Sequence, residues 1–170
     1  MSKKNILLIS TGGTIEKTYD ELSGLLSNQI SVLDYMLASL QLNGVRVSRL
    51  ALMSKDSLEM TPEDHKLIAE TVEKERFQYS GIIIVHGTDR LAESGEVLVE
   101  RFKDLTIPVV LTGAMRPWEL RRTDALQNLT EALLAVQLLE AGIYVAMHNR
   151  VLRFPGVCKD LEAGTFVERD

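Results

Sequence analysis

The chain has 170 residues, enough for one domain with a sizeable core. Apolar residues make up 45% and charged residues 25%, the balance of a soluble globular protein, and a net charge of -5 without a basic run argues against a nucleic-acid or anionic-membrane surface. Cys158 is the one cysteine, which excludes an internal disulfide and makes a reducing compartment the default. The start, MSKKN, leads into an apolar run too short for a signal peptide or a membrane span, so a cytoplasmic location is expected.

In chain order, NILLIS (5–10) reads as a buried strand bounded by turn signals. Ile30, Leu33, Leu37 and Leu40 fall at helical spacing, and Asn43-Gly44 predicts the end of that helix. VRVSRLALM (45–53) alternates like a half-exposed strand. Thr61-Pro62-Glu63-Asp64 opens a helix, with Thr61 as N-cap and Pro62 in the first turn. GIIIVHG (81–87) is the strongest buried-strand candidate. A helix over 92–102, a strand over 107–113, a long leucine-rich helix over 124–139 and a strand over 143–148 complete the alternation. Residues 151–170 read as loop with at most a short edge strand. Five strands alternating with helices predict an α/β fold, a flavodoxin-like, doubly wound parallel sheet in the order 2-1-3-4-5 with helices on both faces. The helix over 124–139 carries more leucines than one sheet face needs, so a homo-oligomer is expected.

In such a sheet ligands sit beyond the carboxyl ends of the strands, where strand order reverses. TGGT (11–14) leaves the first strand and HGTD (86–89) leaves the third, so two Gly-Thr turns face one crevice, with LTGAMRP (111–117) beside them. A phosphate nest at Gly12-Gly13 is one reading, but both the GxGxxG spacing and a Walker lysine-hydroxyl pair are absent. A plain turn with surface threonines is another. His86, Thr88 and Asp89 are too close in sequence to form a Ser-His-Asp triad, and His86 reads as a packed strand residue. His65 and His148 read as ordinary helix and strand-end residues. No metal-ligand spacing occurs, and no cofactor is called for. Cys158 reads as an inert thiol.

Taken in order, TGGTI (11–15), KDSLEMTPED (55–64), HGTD (86–89), GAMRP (113–117) and RTDALQNL (122–129) resemble the bacterial-type L-asparaginase family, over nearly the whole chain. The resemblance implies hydrolysis of the side-chain amide of asparagine, and in some members glutamine, without metal or cofactor. It also implies that this chain corresponds to a single N-terminal-type domain, 1–170, without the family's second, smaller C-terminal domain. By the same resemblance Thr14 is the primary nucleophile. Thr88, Asp89 and Lys159 (in GVCK, 156–159) form the second cluster. Tyr19 is the candidate for the loop tyrosine that activates Thr14. Ser57 and Asp89 hold the α-carboxylate and α-ammonium of an amino-acid substrate. The chemistry suits these residue types. A threonine hydroxyl needs a base, a lysine beside a hydroxyl can serve as one, and N–H groups at Gly87 and Thr88 can receive an oxyanion. The expected function is an amidohydrolase acting on asparagine. Hydrolysis of another small amide such as glutamine, and a non-catalytic amino-acid-binding regulatory module, are the alternatives.

Overall fold

The computed structural model describes residues 2–28 and 31–169. β1 (Lys4–Gly12) emerges almost wholly buried because its apolar run has a layer on each side. After it come a 3-10 turn at Thr14–Glu16 and a small antiparallel hairpin, β2 (Thr18–Asp20) with β3 (Leu25–Ser27). α1 (Leu33–Ala38) follows, then β4 (Val45–Lys55), a 3-10 turn at Ser57–Glu59 and α2 (Pro62–Glu75). β5 (Gly81–Val85), α3 (Leu91–Arg101), β6 (Pro108–Thr112), α4 (Ala125–Leu138) and β7 (Gly142–Met147) continue the alternation. β8 (Arg150–Arg153) and a hairpin of β9 (Val157–Asp160) and β10 (Thr165–Glu168) close the chain.

The main sheet has the order β4-β1-β5-β6-β7-β8. Its first five strands are parallel, and β8 joins β7 antiparallel at the edge. Alternate strand residues face opposite layers. Leu7, Ile9, Ile82, Ile84, Val109 and Leu111 meet α2 and α3. Ile6, Leu8, Ile83, Val85 and Val110 meet α1 and α4. Every residue of β5 and β6 is buried, as expected of central strands covered on both faces. Each fully buried Ile, Leu or Val contributes ~1.5–3 kcal/mol, so these two strands are the rigid floor on which the connecting loops stand.

Three expectations need correction. α1 is shorter than the periodicity predicts. The Ser39 hydroxyl donates to the Met36 carbonyl at 2.6 Å, a local bond that competes with another helical turn. Ile30, expected on that helix, lies outside the described residues. The segment after Val151 is strand rather than loop. Leu152, Val157 and Phe166 are buried, and Asp160 closes the β9–β10 turn by accepting the N–H groups of Glu162 and Ala163. Four-residue strands show too little alternation to be read locally, and their stability comes from that burial. The β2–β3 hairpin is also unforeseen. On α4, Leu129, Leu133 and Val136 face the core, while Leu134 and Leu138 are exposed, Leu138 at 75%.

Candidate active site

The carboxyl ends of β1, β5 and β6 are level, with Ser10 beside Val85 and Val85 beside Thr112. The two threonines of TGGT part company here. Thr11 is buried and its hydroxyl donates to the Val85 carbonyl at 2.9 Å, a structural bond across the strands. The glycines then carry the chain between two other backbones, with φ of 98° at Gly12 and 81° at Gly13. A Cβ on Gly12 would lie 2.5 Å from the Lys55 nitrogen, and one on Gly13 would lie 2.5 Å from the Gly87 Cα. Only glycine fits both the left-handed φ and the approach. Gly13 N–H donates to the Lys55 carbonyl at 2.9 Å.

Thr14 follows, half-buried, at the start of the 3-10 turn. Its neighbours in the turn are held from several directions. Asn28 donates to the Gly13 carbonyl at 2.8 Å, Trp118 N–H donates to the Ile15 carbonyl at 3.3 Å, and Lys17 pairs with Asp56 at 2.6 Å. The Thr14 hydroxyl makes no hydrogen bond to a described residue. Beneath it Glu16 is buried and accepts the Ser31 hydroxyl at 2.6 Å. Burial pushes that carboxyl above its ordinary range, against the opposing pull of Ser31 and Arg49.

The second turn is built around Lys159. β9 brings this lysine across the chain so that its Nζ donates to Thr88 Oγ1 at 2.9 Å and to Asp89 Oδ1 at 2.7 Å. Thr88 is buried and its hydroxyl points to the Met115 sulfur at 3.6 Å. Ser57 packs directly on Gly87, where a Cβ would come within 2.6 Å of the serine oxygen. Ser57 Oγ accepts the Arg90 N–H at 3.4 Å, and the Arg90 guanidinium donates to the Met60 carbonyl at 2.8 Å. Ser57, Gly87, Thr88, Asp89 and Lys159 thus converge, and the Thr14 loop abuts them through Gly13 and Gly87. Tyr19 does not join them. It is 55% exposed on the β2–β3 hairpin, where it lines a cleft of about 670 Å³ with Val32, Tyr35 and Trp118, and it makes no hydrogen bond to Thr14.

His148 and Asp124 also serve this site, although sequence patterning gives them no role. His148 has a φ of 54° at the β7–β8 turn. Its Nε2 meets Asp124 Oδ2 at 2.7 Å and its Nδ1 meets the Thr165 hydroxyl at 2.9 Å, so it ties α4 to the hairpin that carries Lys159. Asp124 also accepts the N–H groups of Met115 and Arg116, each at 3.0 Å, and fixes the GAMRP turn. Burial alone would raise the Asp124 carboxyl; the Met115, His148 and Arg116 bonds outweigh it and hold the group below the usual carboxylate range. The sequence signal was limited to His148 standing at a strand end and Asp124 at a helix start. Among the described residues no group of three or more His, Cys, Asp or Glu could hold a metal ion, and no helix is long and apolar enough to cross a membrane.

Known proteins resemble this chain in sequence and fold. Residues 5–160 match the family model described as asparaginase, N-terminal. The L-asparaginase of Thermococcus kodakarensis is 31% identical over 147 residues, 86% of this chain and 45% of that protein. The solved thermostable L-asparaginase from the same organism superposes with a TM-score of 0.86 at 31% identity, covering 96% of this chain and 51% of the other. A subunit of the glutamyl-tRNA(Gln) amidotransferase of Methanosphaera stadtmanae is 32% identical over 149 residues, 86% of this chain and 34% of that protein. The chain therefore spans about half or less of the length of these relatives. A match that runs from the first strand to the end of β9 places the chain in the asparaginase family through that family's N-terminal domain.

Proposed function

We propose that the protein is an amidohydrolase that converts L-asparagine to L-aspartate and ammonia through Thr14. The observation that carries this reading is Lys159 Nζ standing 2.9 Å from the Thr88 hydroxyl and 2.7 Å from Asp89, on a turn in backbone contact with the Thr14 loop. In the proposed reaction the Thr14 oxygen bonds to the amide carbon while a base takes its proton. The carbon–nitrogen bond then breaks, ammonia leaves with that proton, and water hydrolyses the resulting ester. Thr88 and Lys159 supply the proton path, since a lysine that has given up its proton takes the threonine's across the 2.9 Å contact. Asp89 Oδ2 has no hydrogen-bond partner among the described residues and is free for an α-ammonium group, a charge-assisted bond. Ser57 Oγ accepts one bond and keeps its own proton to donate to an α-carboxylate.

Ammonia release from asparagine, glutamine and simple amides tests the reading, with asparagine expected to be fastest. A clear preference for glutamine would replace the substrate, and the amidotransferase subunit among the relatives favours that outcome as the second reading. No release from any amide would favour a binding module, which has no use for a base beside a hydroxyl. We further propose a cytoplasmic homo-oligomer in which a second copy covers Leu134, Leu138 and Val151. These three are exposed and close together around a shared groove. A monomer in sedimentation at micromolar concentration would remove that claim.

A further inference from the structure

His86 lies completely buried under the second turn, and its hydrogen bonds have a single consistent direction. Its Nδ1 is 2.7 Å from the Gly87 carbonyl oxygen. A carbonyl only accepts, so Nδ1 carries the proton. Burial pushes this imidazole from 6.5 down to about 4, so the ring is neutral near pH 7 and its Nε2 is an acceptor. Nε2 stands 2.7 Å from Ser94 Oγ, which must donate to it. The Ser94 oxygen then accepts from His65 Nδ1, also at 2.7 Å. The two rings stack with centroids 6.2 Å apart. His65 Nε2 is left buried without a hydrogen-bond partner among the described residues, facing Glu93 at 3.5 Å. A flipped His86 tautomer would set a nitrogen lone pair against the Gly87 oxygen at the same 2.7 Å.

We propose that this chain, from His65 through Ser94 to His86, is a positioning device that aims the Thr88 backbone N–H at the reacting carbonyl oxygen. The proposal rests on the asparaginase reading above. The Gly87–Thr88 peptide is trans, so its C=O and N–H point in opposite directions. With the Gly87 oxygen held on the buried imidazole, the Thr88 N–H turns away from His86. The N–H groups of Gly87, Thr88 and Asp89 have no hydrogen-bond partner among the described residues, so they remain available to a developing oxyanion. His86 and Ser94 touch no substrate; they act through the peptide they hold.

The test combines long-range proton–nitrogen NMR of the full chain at neutral pH with kinetics of Ser94→Ala and Ser94→Thr. The expected spectrum shows His86 protonated on Nδ1 with a hydrogen-bonded, unprotonated Nε2. Ser94→Ala should shift the Nε2 resonance to that of an unbonded nitrogen and move the Thr88 amide resonance. It should also lower kcat on asparagine about tenfold with KM within about twofold, and Ser94→Thr should restore both signals and rate. An Nε2-protonated His86 in the unaltered protein overturns the proposal, and this reading requires no variant to fold. A Ser94→Ala protein with an altered Nε2 signal but an unmoved Thr88 amide or an unchanged kcat overturns it as well. If no amide is hydrolysed, the asparaginase reading falls separately, and the two resonances alone decide whether the chain positions the peptide.

Discussion

The two turns that leave the carboxyl ends of β1 and β5 are built on opposite plans. The turn at Thr88 is locked from below and above. His86 and Ser94 grip it from the core, while Lys159, itself delivered by a hairpin pinned through His148 and Asp124, grips its side chains. The turn at Thr14 is fixed around its threonine but not through it, by Gly12 and Gly13 wedged against Lys55 and Gly87 and by the bonds of Glu16 and Lys17. Its hydroxyl has no described partner, and the hairpin that follows it is exposed. On the proposed reading the contrast separates two tasks. A base and its carboxylate need a preset geometry, because proton transfer and charge recognition depend on distance. A nucleophile needs a hydroxyl that no structural bond occupies.

The largest expected effect comes from removing either side. Thr14→Ala, Thr88→Val and Lys159→Met should each lower kcat by roughly a thousandfold or more, and the Thr14→Ala/Thr88→Val double variant should be little worse than its poorer parent, since groups acting as a unit are non-additive. Asparagine should still bind Thr14→Ala in calorimetry, because Ser57 and Asp89 remain. A Thr14→Ala enzyme with near-normal turnover would assign attack elsewhere and reduce the Gly-Gly turn to a geometric role.

The buried plan also titrates. His86 is held at about 4 against 6.5 when unfolded. The unfolded chain therefore takes up this proton first. Stability should be full above about pH 6.5, fall as the pH drops towards 4, and lose on the order of 3 kcal/mol from this group across the window. Urea midpoints at about pH 7 and about pH 4.5 measure it, and His86→Gln should flatten the slope over that range. An unchanged slope in that variant would show that another group, such as the His65 imidazole that burial also pushes below 6.5, sets the acid sensitivity.

Gly13→Ala breaks the join between the plans. The new methyl meets Gly87 at 2.5 Å with φ at 81°, so destabilisation of about 2 kcal/mol is expected, with a loss of turnover larger than the same substitution at Gly164, whose Cβ would meet nothing within 4 Å. Equal losses at the two glycines would mean that φ, not loop contact, is the constraint. The smallest effect belongs to His148→Ala. Losing its bonds to Asp124 and Thr165 should cost about 1–2 kcal/mol in thermal stability and lower kcat only severalfold, by loosening the hairpin under Lys159. A stability loss with unchanged kcat would make His148 a fold residue alone.

The sequence by itself determined the alternation of strands and helices, because continuous apolar runs such as GIIIV and PVVLT are stable only between two covering layers. It also determined the Thr61-Pro62 helix start, where Asp64 accepts the Thr61 N–H at 2.8 Å, and it identified the loops that carry the candidate chemistry. Only the tertiary structure decided how far those loops converge. A separation of 70 positions between Asp89 and Lys159 says nothing locally about a 2.7 Å contact. The β9–β10 hairpin that makes this contact is too short to be seen without the core that buries Phe166. His65 and His86 read as ordinary helix and strand residues for the same reason. A hydrogen-bond chain across two helices and a strand end has no sequence period, and it exists only because packing brings three separate segments within 2.7 Å of one another.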